Sequence, residues 1–264
     1  MPPKALVVTA SAVVMVLGTL IGFGLLGTPV DRSSSGAFAA DATLMTPATQ
    51  AFSVWSLIYV GLLGYVIWQW RERQSERLAR IAWLAALSML LNALWLAVTQ
   101  TGQVWLSVVV ILALALVLGV LVKRLQESRP QSLVETVVVD GTFGVYLGWV
   151  SVASVANVTT ALQEWGVDPG PDVSQVLAVA VIAVAAALGV LFAFTLGARW
   201  AVAAAMAWAL GWIAVGRFAG PLFSTATAVA AVLAALVILA VTAVLNASGR
   251  SPRRAAPAAG ASHG

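Results

Sequence analysis

Tyr146-Leu-Gly-Trp149-Val-Ser-Val-Ala153-Ser-Val-Ala-Asn157 closes an apolar segment that begins at Val137. The segment has the length of a membrane-spanning helix, about 20 residues. Trp149, Ala153 and Asn157 follow Tyr146 at offsets of 3, 7 and 11, which keeps all four on one stripe of a helix. Lipid offers nothing to an amide, so such a stripe belongs against other helices or a cavity. Two further apolar segments carry the same mixture. Phe52, Trp55 and Tyr59 open one, spaced three and four apart, and Asn92 and Trp95 stand three apart near the end of the next.

Outward from these clusters, the chain reads as an all-α polytopic membrane bundle. Hydrophobic residues make up 61% of it and charged residues 9%, and the mean hydropathy is +0.97, outside the range of soluble domains. Apolar stretches predict eight spans: Ala5 to Gly27, Phe52 to Trp70, Leu78 to Thr99, Val104 to Val122, Val137 to Asn157, Val176 to Leu196, Trp200 to Val215 and Leu222 to Leu245. All 10 prolines fall outside them, where a missing N–H costs least. The seventh span is short, about 24 Å at 1.5 Å per residue, and Arg199 and Arg217 are expected to snorkel from its ends.

Charge orients the bundle, because Lys and Arg collect in cytoplasmic loops. With the N-terminus inside, twelve basic residues (Lys4, Arg71, Arg73, Arg77, Arg80, Lys123, Arg124, Arg129, Arg199, Arg250, Arg253 and Arg254) face the cytoplasm, and only Arg32 and Arg217 lie outside. The expected product is a multi-pass protein of the cell membrane with both termini cytoplasmic and the loops 28–51 and 158–175 outside. Lys4, the first apolar stretch and Ala37-Phe38-Ala39 resemble the parts of a secretory signal. The stretch is longer than the roughly 7 to 15 residues of such a signal's core, so the first helix is expected to be retained. The basic balance belongs to these loops, and no nucleic-acid partner is expected.

The residue inventory excludes much chemistry. There is no cysteine, and the one histidine is His263, so zinc sites, thiol nucleophiles and histidine-ligated haem within the membrane are not expected. Five carboxylates (Asp31, Asp41, Glu164, Asp168 and Asp172) fall in outer loops, and Glu72, Glu76 and Glu127 in inner ones. Glu135 and Asp140 mark the cytoplasmic entrance of the fifth span, where Asp140 reads as an interfacial carboxylate favoured by the helix dipole. No catalytic constellation remains, so neither an enzyme nor a metal site is expected. Of the 11 tryptophans, Trp68, Trp70, Trp83, Trp105, Trp165 and Trp200 lie near span ends, where aromatic belts form. Trp208 and Trp212 suit packing or function equally. Trp55, Trp95 and Trp149 share the outer half of the membrane with Asn92 and Asn157, and a common cavity follows. From spacing alone, interhelical packing explains the clusters equally well.

These clusters resemble the TspO/MBR family, the tryptophan-rich sensory proteins related to the mitochondrial translocator protein. Phe52-Ser-Val-Trp55-Ser-Leu-Ile-Tyr59 is similar to the family's second-helix start, Leu91-Asn92-Ala-Leu-Trp95 to its Asn-x-x-Trp, and Tyr146 to Asn157 to its fifth-helix signature. The resemblance covers about residues 5 to 165. It departs from the family at Val145, where a proline is usual, and at Leu96-Ala-Val-Thr99, where an aromatic pair is usual. No tyrosine followed by a basic residue succeeds Asn157, so the sterol-recognition pattern has no counterpart.

The resemblance implies a five-helix bundle that binds tetrapyrroles such as protoporphyrin, or other flat hydrophobic molecules, under a loop that is 28–51 here. It nominates Trp55, Tyr59, Asn92, Trp95, Tyr146, Trp149, Ala153 and Asn157 as the ligand pocket and needs no resident cofactor. Sensing, transport or a receptor role fits such a pocket, and porphyrin photodegradation enters through the resemblance alone. The alternative is a structural or assembly protein without a ligand. The lipid bilayer and a hydrophobic small molecule are the expected partners, with a homodimer left open. The organisation expected is a five-helix domain over 1–165, a three-helix Ala- and Val-rich module over 166–246, and a disordered cytoplasmic tail over 247–264, rich in Ala, Pro, Gly, Ser and Arg. No small-residue pair in the last three spans marks a helix interface.

Overall fold

A computed structural model describes residues 2–22 and 27–249. The tail beyond Gly249, the last residues of the first apolar stretch and the Asp31 side chain lie outside the described residues. Among the described residues there are eight helices long and apolar enough to cross a membrane, and no strand. They are α1 (Pro2–Gly22), α2 (Val54–Arg71), α3 (Glu76–Thr99), α4 (Val104–Gln126), α5 (Leu133–Glu164), α6 (Pro171–Thr195), α7 (Trp200–Ala219) and α8 (Thr225–Ala247). The chain is a membrane protein built as one helical bundle.

Local sequence explains the starts. Ser75, Ser132 and Ser224 each precede a helix, and their hydroxyls accept the N–H of Leu78, Glu135 and Thr227 respectively, satisfying donors that a helix start leaves open. Pro171 occupies the first turn of α6, where its fixed φ suits the helix and no N–H is needed. The outward faces carry apolar side chains such as Leu57, Val60, Ile67, Leu116 and Leu191. In water such a surface would aggregate; in hydrocarbon it is the favourable one.

Helices α1, α3, α4, α5, α7 and α8 pack each against the next, with α2 against α1 and α5, and α6 against α8. One continuous core runs from Val8 in α1 to Ile238 in α8 and includes Val202, Met206, Leu210 and Ile213 of α7. The seam between α5 and α7 is made of small residues. A Cβ on Gly144 would lie 2.8 Å from the Ala201 Cβ, and one on Gly148 would lie 2.9 Å from the Ala205 Cβ and overlap the Val202 carbonyl oxygen. Close backbone approach of this kind is how helices associate in lipid without a hydrophobic drive. The pattern Gly144-xxx-Gly148 on α5 facing Ala201-xxx-Ala205 on α7 therefore corrects the expectation that no small-residue pair in the last three spans marks an interface, because Ala201 and Ala205 are such a pair.

Three sequence expectations are corrected at the ends of α7. The helix runs 20 residues, to Ala219, so the seventh span is not short. Arg199 and Arg217 do not snorkel: both are buried. Arg199 pairs with Asp140, and Asp140 also takes the Nη2 of Arg77 at 2.8 Å. Arg77 reaches Glu135 at 2.8 Å as well. Asp140 is thus no interfacial carboxylate at a helix start. It sits in a π-helical stretch, Thr136–Gly141, inside α5, and the wide turn carries it to two guanidinium groups. All four side chains are buried, and their charges cancel, as burial of ions requires.

Candidate aromatic cavity beneath the 28–51 loop

At the end of the bundle opposite this ionic cluster, α2, α3 and α5 bring their aromatic stripes together. The Trp55 ring stacks on Tyr59 with centroids 5.6 Å apart and on Trp95 at 6.4 Å. It meets Tyr146 at 5.9 Å and Trp149 at 6.1 Å edge to face. Both arrangements are those the ring quadrupoles favour. Trp55 is the hub because it stands where α2 enters the bundle, at the end of a 3₁₀ turn, Thr49–Ser53, that carries Phe52 onto Trp149 at 5.8 Å.

Five of the eight nominated residues, Trp55, Trp95, Trp149, Ala153 and Asn157, line a single cavity. The space between its walls, mouth included, is about 540 Å³, of which about 40 Å³ admits the centre of a water molecule. It is a narrow slot. Tyr59, Asn92 and Tyr146 form the layer behind it. The Tyr59 hydroxyl donates to the Asn92 Oδ1 at 3.2 Å, and the Tyr146 hydroxyl donates to the Ser88 carbonyl at 3.2 Å. These bonds fix the rotamers on which Trp55 rests.

Ala153 and Ala156 provide a low wall on α5, and Val152 and Thr160 extend it. Asn157 pairs through its amide with Ser107 of α4, 2.9 Å from the hydroxyl. The indole N–H groups of Trp95 and Trp149 meet no protein acceptor although both rings are buried. An indole nitrogen is a donor only, so no change of tautomer or amide orientation relieves them. Among the described residues no charged side chain lines the cavity, and no cluster of His, Cys, Asp or Glu could hold a metal ion.

The cover and the far wall come from outside the nominated set. Phe38, Thr46 and Pro47 of the loop close the top, and Phe38 meets Trp95 edge-on at 5.9 Å. In the sequence, Phe38 drew notice only as the centre of a signal-like Ala-Phe-Ala. Ala209 and Ile213 of α7 form the far side. Their helix also holds the loop down: Trp208 donates its indole N–H to the Ala51 carbonyl at 3.1 Å, and the backbone carbonyl of Trp212 accepts the Ala48 N–H at 3.2 Å. Arg217 donates to the Thr43 carbonyl at 3.0 Å and to that of Ala40 at 2.6 Å. The only sequence signal for this role was the i, i+4 spacing of Trp208 and Trp212, which spacing alone assigned equally to packing. On its other side the loop is tied to the end of α3, where the Ser34 hydroxyl donates to the Thr99 carbonyl at 2.7 Å and Gln100 brackets the Thr28 backbone at 3.1 Å.

A family model described as TSPO-like protein matches residues 5–244. The match runs past residue 165, where the sequence resemblance stopped, and takes in α6, α7 and most of α8. Neither the curated proteins nor the solved structures contain a match to the chain.

Proposed function

Since this chain belongs to the TSPO-like family, we propose that it is an integral membrane sensor or transporter that binds porphyrin-type or other flat hydrophobic molecules in the cavity around Trp55. The observation that carries this reading is the cavity itself: three indole rings and Phe52 around a slot walled by Ala153 and Ala156 and roofed by a loop. Flat rings slide between such faces with large apolar contact and little loss of side-chain freedom. The small alanines leave the ligand room on α5. The closed form requires the loop to lift or the walls to part for a ligand of that size, and loops of binding sites are drawn from the less stable parts of a fold.

Binding rather than chemistry is the proposed role. The lining holds no carboxylate, histidine, cysteine or lysine, hence no general base beside Thr46 or Thr160 to activate a nucleophile. With Arg-rich ends facing the cytoplasm, the loop and the cavity mouth open to the outer side of the cell membrane. A structural role without a ligand is the competing reading, and the narrowness of the slot favours it. Titrating protoporphyrin into the detergent-solubilised protein and following tryptophan fluorescence separates the two. Saturable quenching that is weakened in Trp149→Phe supports the binding reading; no saturable quenching by protoporphyrin or by its neutral ester, or quenching indifferent to that change, overturns it.

A further inference from the structure

Trp95 and Trp149 place their rings in the wall of the cavity, are 5% and 2% exposed, and leave their indole N–H groups without any protein acceptor. Buried donors of this kind are uncommon, because each forfeits the hydrogen bonds it had with water. Two such rings line one slot, beside Asn157, whose Nδ2 is likewise unpartnered. Each is donor-only, and among the described residues the wall beside them carries no charge of either sign. Arg217 stands one turn beyond Ile213 on α7, with two of its nitrogens already given to the carbonyls of Thr43 and Ala40.

Resting on the binding reading above, we propose that the cavity selects an uncharged flat ligand that presents hydrogen-bond acceptors, such as ester or ketone oxygens, to the N–H groups of Trp95 and Trp149. A carboxylate would satisfy the same donors but would bring a net charge into an apolar slot with no free cation on its wall, and desolvating that charge is the larger effect. A ligand without acceptors would fill the slot and leave both donors unpaired, which is the situation that lets a site reject an analogue lacking a polar group.

Three porphyrins with the same ring separate these cases: protoporphyrin dimethyl ester, protoporphyrin as its free acid, and octaethylporphyrin, which has no oxygen. Each is titrated into the full-length protein in one detergent with tryptophan quenching as the readout, calibrated against empty micelles. The ester is expected to bind at least about fivefold more tightly than octaethylporphyrin, the equivalent of one neutral hydrogen bond, and more tightly than the acid. In Trp149→Phe and Trp95→Phe the ratio of ester to octaethylporphyrin affinity shrinks, whatever the ring replacement does to both affinities together. Phe is the smaller ring and leaves space behind it in this packed cluster, so the comparison of the three porphyrins in the wild-type protein decides the proposal where a variant does not fold. Equal binding of ester and octaethylporphyrin overturns the acceptor proposal and leaves the binding reading standing. Tighter binding of the acid, lost in Arg217→Gln, overturns it in favour of a carboxylate ligand. Absence of binding by all three overturns both.

Discussion

Arg217 of α7 donates through Nη1 to the Thr43 carbonyl oxygen, 3.0 Å away, and so fastens the loop that roofs the cavity to a helix some 170 residues further along the chain. The guanidinium is fully buried, and its fork reaches the Ala40 carbonyl at the same time. Among the described residues it has no carboxylate within salt-bridge distance. A charge that the fold buries for the sake of two loop carbonyls argues that the closed loop is a built state of this protein.

Arg217→Gln should free that loop. Hydrogen bonds from charged donors are worth about 1.5–3 kcal/mol each, so a drop in melting temperature is expected along with faster amide hydrogen exchange over residues 38–48. Arg217→Lys should recover only part of the protection, since an ammonium lacks the planar fork. Exchange in this segment that is unchanged in Arg217→Gln would mean that Trp208 and Trp212 hold the roof by themselves.

Asp140→Asn leaves Arg77 and Arg199 short of one negative charge in a buried site. Removing one partner of a buried ion pair costs about 3–5 kcal/mol, and thermal unfolding in detergent should reveal a loss of that order. Glu72→Gln, on an exposed end of α2, serves as the control and should leave the transition where it was. A stable Asp140→Asn protein would show that Glu135 suffices for both guanidiniums.

Gly148→Leu tests the α5–α7 seam. Even a single Cβ at this position overlaps the Val202 carbonyl, and overpacking a tight core costs about 1–3 kcal/mol or more. Because α7 supplies a wall of the cavity, the variant should lose ligand response together with stability. A Leu at Gly119, where nothing lies within 4 Å of an added Cβ, should do neither.

Ala153→Leu fills the slot from its own wall. The expected outcome is loss of porphyrin quenching with a melting temperature equal to or above that of wild type, because the added methyls occupy unfilled space and remove no contact. Wild-type quenching in this variant would place the ligand elsewhere.

Tyr59→Phe removes the donor that faces the Asn92 Oδ1. The cost should be about 0.5–1.5 kcal/mol, read as a small shift in the unfolding midpoint. A larger change in the fluorescence of Trp55, which stacks on Tyr59, would show that this bond sets the geometry of the aromatic hub.

Eight spans, their punctuation by prolines and the aromatic stripe of α5 were all legible in the sequence. Hydropathy is a property of consecutive residues, and the offsets between Tyr146, Trp149, Ala153 and Asn157 fix a shared face by helical geometry alone. Trp55, Trp95 and Trp149 were singled out for the same reason: aromatic and amide groups inside apolar helices need partners. Phe38 and Thr46 escaped because a loop has no period to read. Ala209 and Ile213 escaped because nothing distinguishes a cavity-lining alanine or isoleucine from a lipid-facing one in an Ala-rich helix.

What the sequence determined by itself is therefore the set of helices and the inner face of several of them. Only the tertiary structure decided that α7 crosses α5 at Gly144 and Gly148 and completes the cavity, that Arg217 holds its roof, and that Arg199 and Arg77 share Asp140. The physical reason is one of range. Which face a helix presents follows from spacing within about two turns, whereas which neighbour meets that face depends on close-packed contacts between segments tens of residues apart, and no local pattern records them.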